Sequence, residues 1–179
     1  VIQAIHHRLA ARKEDGEGGF TLIELMVVVM IIAILIGIAI PAFLGARKRA
    51  QDTASKSDLR NGLSTAQTIF TDNQAYKDTA AMVTELNGEE PSLNFLANDA
   101  ASSTSKEISV LVTQSAVSGS SANDEIILAS QSKSGTCFFL RHINTAGDAT
   151  LSGSYTAEST GTCTADAGAA LPATAWSAA

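Results

Sequence analysis

Polar and apolar side chains divide this chain into segments of different rhythm. From Phe20 to Ala46 the only strongly polar side chains are Thr21 and Glu24, and Leu25 to Ala46 carries no charge. The run is too long for a strand, and about 20 apolar residues span a bilayer core, so it predicts a membrane-length helix. Beyond it the composition changes but the helical period persists. Apolar residues at Ala46, Ala50 and Ala54, and then at Leu59, Leu63, Ala66 and Phe70, mark one face. Nothing between Ala42 and Asp72 stops a helix strongly, Gly62 being a mild weakness. The pattern predicts one helix of about 50 residues, roughly 75–80 Å long at 1.5 Å per residue. Its second half carries a stripe that needs a domain to pack against.

The rhythm then changes again. Asn87-Gly88, Pro91 and Ser102-Ser103-Thr104-Ser105 make residues 73–106 a loop-rich connector, with short helices at Asp78–Leu86 and Ser92–Asn98. Strand signals follow at Glu107–Gln114, Glu125–Ser130 and Thr136–Ile143, with Ala149–Ala157 as a weaker fourth, and Gly119, Gly135 and Gly147 in the turns between them. Strands in succession without intervening helices imply an antiparallel sheet, whose apolar face would receive Leu59, Leu63, Ala66 and Phe70. The last 20 residues, rich in Ala, Thr and Gly, read as a poorly structured tail pinned by Trp176. The fold class is α+β: a long N-terminal helix packed by its second half on a small antiparallel sheet.

Charge narrows the function. Charged residues are 17% of the chain, and the net charge of −6 is unevenly spread. Residues 47–60 carry Arg47, Lys48, Arg49, Lys56 and Arg60 against Asp52 and Asp58, a net of +3, whereas residues 73–179 have a net of −7. An acidic, aromatic-poor C-terminal part argues against direct nucleic-acid binding. Two cysteines, Cys137 and Cys163, stand 26 positions apart. An even pair in an exported domain suggests a disulfide, with free buried thiols or a metal site as alternatives. Nothing in the chain suggests an enzyme or a cofactor. His6 and His7 lie in the first segment, His142 stands alone near a strand end, and there is no Gly-x-Ser-x-Gly, phosphate loop or metal-spaced set.

Residues 1–19 are short, mixed in charge and end Gly16-Glu17-Gly18-Gly19, the composition of a processing or targeting segment. An ordinary signal peptide is cut after its apolar run. The best small-x-small site here is Gly37-Ile38-Ala39, with Pro41 two residues past that cut. A bacteriocin-type Gly-Gly leader would precede a short peptide, not a membrane-length helix and a head of about 100 residues.

Gly18-Gly19-Phe20-Thr21-Leu22-Ile23-Glu24-Leu25 resembles the type IV prepilin signature, and the likeness extends to Pro41. It covers residues 16–72 at useful strength. It implies that residues 1–19 are a leader, 20–46 a transmembrane and filament-core helix, 47–72 its amphipathic continuation, and 73–179 a globular head with a disulfide-closed C-terminal loop. It further implies a prepilin peptidase that cuts between Gly19 and Phe20 and methylates the Phe20 amine. The implied partners are that peptidase, an inner-membrane assembly platform, the membrane before assembly, and further copies of the chain. The implied locations are the cytoplasmic membrane, with the N-terminus inside, and then a cell-surface pilus serving motility, adhesion or DNA uptake. The alternative is a pseudopilin of a type II secretion or competence apparatus. The cysteine pair favours a pilin, since in the family that this chain resembles the late loop is often closed by a disulfide. A secretion pseudopilin more often binds calcium there, and Asp148, Glu158 and Asp166 are too scattered for such a site.

Three features of the helix bear on assembly. Thr21-x-x-Glu24 is a capping-box pattern, and the resemblance adds a salt bridge from Glu24 to the Phe20 amine of a neighbouring subunit. Ala33, Gly37, Pro41 and Gly45, spaced by four, suit close helix packing. Pro41 lacks an N–H and crowds the Gly37 carbonyl, so a kink or local melting is expected between Gly37 and Pro41. One feature conflicts: Arg47, Lys48 and Arg49 directly follow the span, which by the positive-inside rule would turn the N-terminus outward. The processing motif requires the opposite and is the stronger signal.

Overall fold

The computed structural model describes residues 19–114, 123–144 and 153–179. The chain falls into two compact units, Val1–Leu44 and Gly45–Ala179. Helix α1, Leu22–Asn73, contributes to both.

In the first unit, α1 is apolar on every side and unburied. Its Leu, Ile, Val and Met side chains from Leu22 to Leu44 all lie exposed. It is long and apolar enough to cross a membrane, the one such helix among the described residues. The helix continues without a break through Gly37 and Pro41.

The second unit is built on a six-stranded sheet in the order β1-β2-β3-β4-β5-β6. The strands are β1 Asn94–Leu96, β2 Glu107–Thr113, β3 Glu125–Gln131, β4 Cys137–Ile143, β5 Gly153–Ser159 and β6 Ser177–Ala178. β2 to β6 pair antiparallel with their neighbours, but β1 runs parallel to β2, so the sheet is mixed. β1 replaces the short helix expected at Ser92–Asn98. The Asn87 side chain fixes the extended backbone there, accepting from the Phe95 N–H at 2.8 Å and donating to its carbonyl at 2.9 Å. Residues 149–152 of the expected fourth strand, with Gly119 and Gly147, lie outside the described residues. Gly135 turns β3 into β4 at φ +89°, a conformation that favours glycine.

Both faces of the sheet are covered. On one, Leu59, Leu63, Ala66 and Ile69 of α1 pack on Ile108, Val110, Ile126, Leu128, Phe138 and Leu140. Ile69, not Phe70, completes the buried stripe, and Phe70 is half-buried against Tyr76 with ring centroids 4.8 Å apart. Helix α2, Thr79–Glu89, capped by Asp78, adds Met82 and Leu86 to this core. On the other face lie Ala129, Cys137, Phe139 and Ala157, covered by Cys163, Ala167, Leu171 and Trp176. The last 20 residues are therefore ordered, against the expectation of a loose tail. Helix α3, Ala165–Ala169, capped by Thr164, a 3-10 turn at Ala173–Ala175 and β6 carry the chain across the sheet. The physical reason is the continuous apolar run in β3 and β4, whose alternate residues would otherwise face water.

Candidate functional site

The start of α1 follows from two residues. Thr21 stands just before the helix, and Glu24 lies in its first turn. The Thr21 N–H donates to Glu24 Oε2 at 2.9 Å, and the Thr21 hydroxyl donates to the same oxygen at 2.8 Å. The Glu24 N–H in turn meets Thr21 Oγ1 at 3.2 Å. This is a reciprocal capping box, in which side chains satisfy backbone donors that the first turn leaves open. Within one chain the carboxylate thus binds Thr21 through a single oxygen. Glu24 Oε1 takes no hydrogen bond among the described residues. Phe20, immediately before the cap, is 89% exposed, and with Glu24, Leu25, Val28 and Val29 it lines a shallow groove.

Further along, Gly37 and Gly45 have open space where a Cβ would stand, so the stripe of small residues meets nothing within its own chain. It is available to another helix.

The remaining predicted site residues lie far away along the chain, in the second unit. Cys137, at the start of β4, and Cys163 form a disulfide with Cα atoms 5.4 Å apart. The Cys163 carbonyl accepts from the Ser102 N–H at 2.9 Å, tying the bridge to the loop before β2. Two nearby contacts hold the following segment. Asn98 donates to both carboxylate oxygens of Asp166, and Ala165 donates to Ser109 Oγ. Glu158 pairs with Lys56 at 2.8 Å, and Asp148 lies outside the described residues. Among the described residues there is no group of three or more metal-ligating side chains.

Several polar contacts have no signal in the sequence. Asp52 accepts from Ser132 at 2.7 Å and from Ser134, locking the β3–β4 turn onto α1. Ser55 and Ser130 hydroxyls meet at 2.9 Å, and buried Asp58 pairs with Lys106 at 3.1 Å. His142 is a packing residue: Gln67 reaches its Nε2 at 3.1 Å and Ser154 its Nδ1 at 2.8 Å. Burial holds this imidazole below its usual pKa. Glu125 is buried beside Arg141 at 2.8 Å, and burial outweighs that pairing to push its carboxyl up. A helix register places such partners on a face, but only the tertiary fold decides which strand end faces them.

Comparison with known proteins agrees with the geometry of the first unit. Residues 16–40 match the family model described as the prokaryotic N-terminal methylation motif. Over 68 residues the chain is 43% identical to the type IV wide pilus major component PilA4 of Thermus thermophilus, covering 38% of this chain and 52% of that protein. Over 62 residues it is 42% identical to the type IV major pilin protein PilA of Myxococcus xanthus, covering 35% of this chain and 28% of that protein. The chain thus spans about half the length of the first of these relatives and about a quarter of the second. No solved structure matches at comparable strength. From its glycine-rich signature into the long helix, this chain is similar to these two type IV pilus proteins.

Proposed function

We propose that the chain is a structural subunit of a type IV pilus, assembled into an extracellular filament through its N-terminal helix. The observation that carries this reading is the uncovered helix from Leu22 to Leu44, whose lone acid sits in the first turn. So much apolar surface must be covered by lipid or by other helices. In this reading residues 1–19 are a leader that a prepilin peptidase removes between Gly19 and Phe20, and the freed Phe20 amine is methylated. The precursor crosses the cytoplasmic membrane once with its N-terminus inside, and an inner-membrane platform passes it to the growing fibre.

Glu24 and Phe20 set the subunit register. In the apolar filament core, the carboxylate of one copy pairs with the Phe20 amine of the next. Glu24 Oε1 is the oxygen left for that contact. Loosening of α1 between Gly37 and Pro41 on entry to the filament would let the helices pack closely along Ala33, Gly37 and Gly45. The pseudopilin alternative is less favoured, because one relative is named a type IV pilus major component and the other a type IV major pilin.

Mass spectrometry of protein sheared from cells, with electron microscopy of the sheared fibres, tests the proposal. The expected result is filaments whose subunit begins at a methylated Phe20 and contains the Cys137–Cys163 bond. Gly19→Ser should block trimming. A subunit still beginning at Phe20 in that variant would remove the cleavage assignment, and a subunit that stays solitary in the membrane would remove the filament.

A further inference from the structure

The second unit is electrically lopsided. Lys48, Arg49, Asp52, Lys56 and Glu158 line one concavity. Arg47 adjoins it in sequence. Lys133 adjoins it through the β3–β4 turn, because Ser132 and Ser134 on either side both bond to Asp52. Arg47, Lys48, Arg49, Lys56 and Lys133 are all exposed. This rim has five basic against two acidic side chains, a net of +3, whereas the rest of Gly45–Ala179 has four basic against twelve acidic, a net of −8. The acids within the rim are already engaged, Asp52 by two serine hydroxyls and Glu158 by Lys56. Arg47, Lys48, Arg49 and Lys133 have no ion pair among the described residues.

We propose that this rim docks on anionic phospholipid headgroups while the subunit is still in the membrane. The inference rests on the reading above that residues 20–46 sit in a bilayer before assembly. Arg47 is the first charged residue after the apolar run, so chain continuity alone puts it and its neighbours at headgroup depth. Lys133 is brought to the same rim by the fold, although it lies 84 positions from Arg49. Each basic side chain near an anionic surface strengthens attachment several-fold, and the attraction is lost beyond about 8 Å at physiological salt. The repelled remainder of the unit, at −8, would turn away from the same surface. The contact explains why a positive cluster follows the span on the side that the processing motif assigns to the outside: it attaches the head to lipid and does not set topology.

Native mass spectrometry of the oxidised full chain, released from detergent containing equal phosphatidylglycerol and phosphatidylcholine, tests this. The expected result is retention of phosphatidylglycerol over phosphatidylcholine by about tenfold or more, collapsing toward parity in R47Q/K48Q/R49Q/K133Q. K77Q, which removes positive charge away from the rim, should keep the preference. The quadruple variant must keep its disulfide and circular dichroism, and single substitutions giving graded losses guard against misfolding. An unchanged preference in the quadruple variant, or none in the parent, overturns the proposal. So does a preference abolished by millimolar inorganic phosphate, which would mark a free-anion site. If the four substitutions instead lower cross-linking between copies and leave lipid retention alone, the rim contacts a second subunit and the proposal falls. Alkaline carbonate extraction separates the two readings. A chain that washes off the membrane overturns both, whereas one that stays embedded without headgroup preference overturns only this one.

Discussion

Gly62 of α1 and Phe95 of β1 are in direct contact: a Cβ at Gly62 would stand 3.1 Å from Phe95 Cε1 and 3.2 Å from Ile108 Cδ1. The glycine that weakens the helix locally is what lets α1 lie close against the parallel edge of the sheet. Gly62→Ala sets a helix-propensity gain of about 1 kcal/mol against a ring displacement of a few tenths of an ångström, and should be close to neutral. Gly62→Leu cannot be accommodated that way. It should destabilise the second unit by roughly 1–3 kcal/mol through overpacking, seen as a lower Tm for the full chain in detergent. An unchanged Tm would mean that Phe95 does not lie against α1.

The disulfide leads to a second prediction. It closes a loop of 26 positions and anchors the segment that covers Phe139 and Ala157. Cys163→Ser, or reduction, should cost roughly 3 kcal/mol. Arg141 lies over the Trp176 ring at 5.8 Å, and β6 follows directly, so the loss should also change Trp176 fluorescence before global unfolding. Equal melting of oxidised and reduced chain would sink this account.

The two units differ in how much of them could be read from the primary structure. The membrane-length run, the capping pair Thr21 and Glu24, and the stripe Leu59, Leu63, Ala66 are local patterns set by helical period, and local rules suffice for them. Strand positions were legible for the same reason. The parallel β1 was not, because its extended backbone depends on Asn87, eight residues upstream. The ordered C-terminal segment was hidden by its composition. Small residues there read as loose, yet Gly168 is selected by contact: a Cβ would fall 2.7 Å from Phe139 Cδ1. The useful signal was in the strands. Ile126-Ile127-Leu128 and Cys137-Phe138-Phe139-Leu140 are apolar on consecutive positions, which a sheet with one wet face would not tolerate.

His142 gives a pH prediction. Its folded-state pKa lies below the ordinary imidazole value of 6.5 because burial disfavours the charged ring. Above 6.5 the imidazole is neutral whether folded or not, and the stability is fully present. As pH falls below that value the unfolded chain takes up a proton that the folded chain resists, so stability declines until the folded pKa is passed. The melting temperature should therefore stay level above pH 6.5 and drop as the pH falls below it. His142→Gln should flatten that drop. A slope that persists in the variant would assign it to another group.

The helix-capping role of Glu24 and the inter-subunit pairing proposed for it can be separated by different substitutions. Glu24→Gln keeps a side-chain carbonyl for the Thr21 N–H, so the capping box survives, but the negative charge is gone. Thr21→Val does the reverse, removing the hydroxyl that bonds Glu24 in both directions at a cost of about 1 kcal/mol while keeping the charge. If capping were the residue's main purpose, filament yield would follow Thr21. If an inter-subunit ion pair is, yield should follow Glu24, because an unpaired ammonium in an apolar core costs roughly 3–5 kcal/mol. With membrane level and trimming matched by immunoblot, Glu24→Gln should cut sheared filament sharply and Thr21→Val should leave it within about fivefold, the change a loss of about 1 kcal/mol would produce. Ordinary yield from Glu24→Gln would reduce Glu24 to a helix cap, and the register of the fibre would then have to come from the small-residue stripe at Ala33, Gly37 and Gly45.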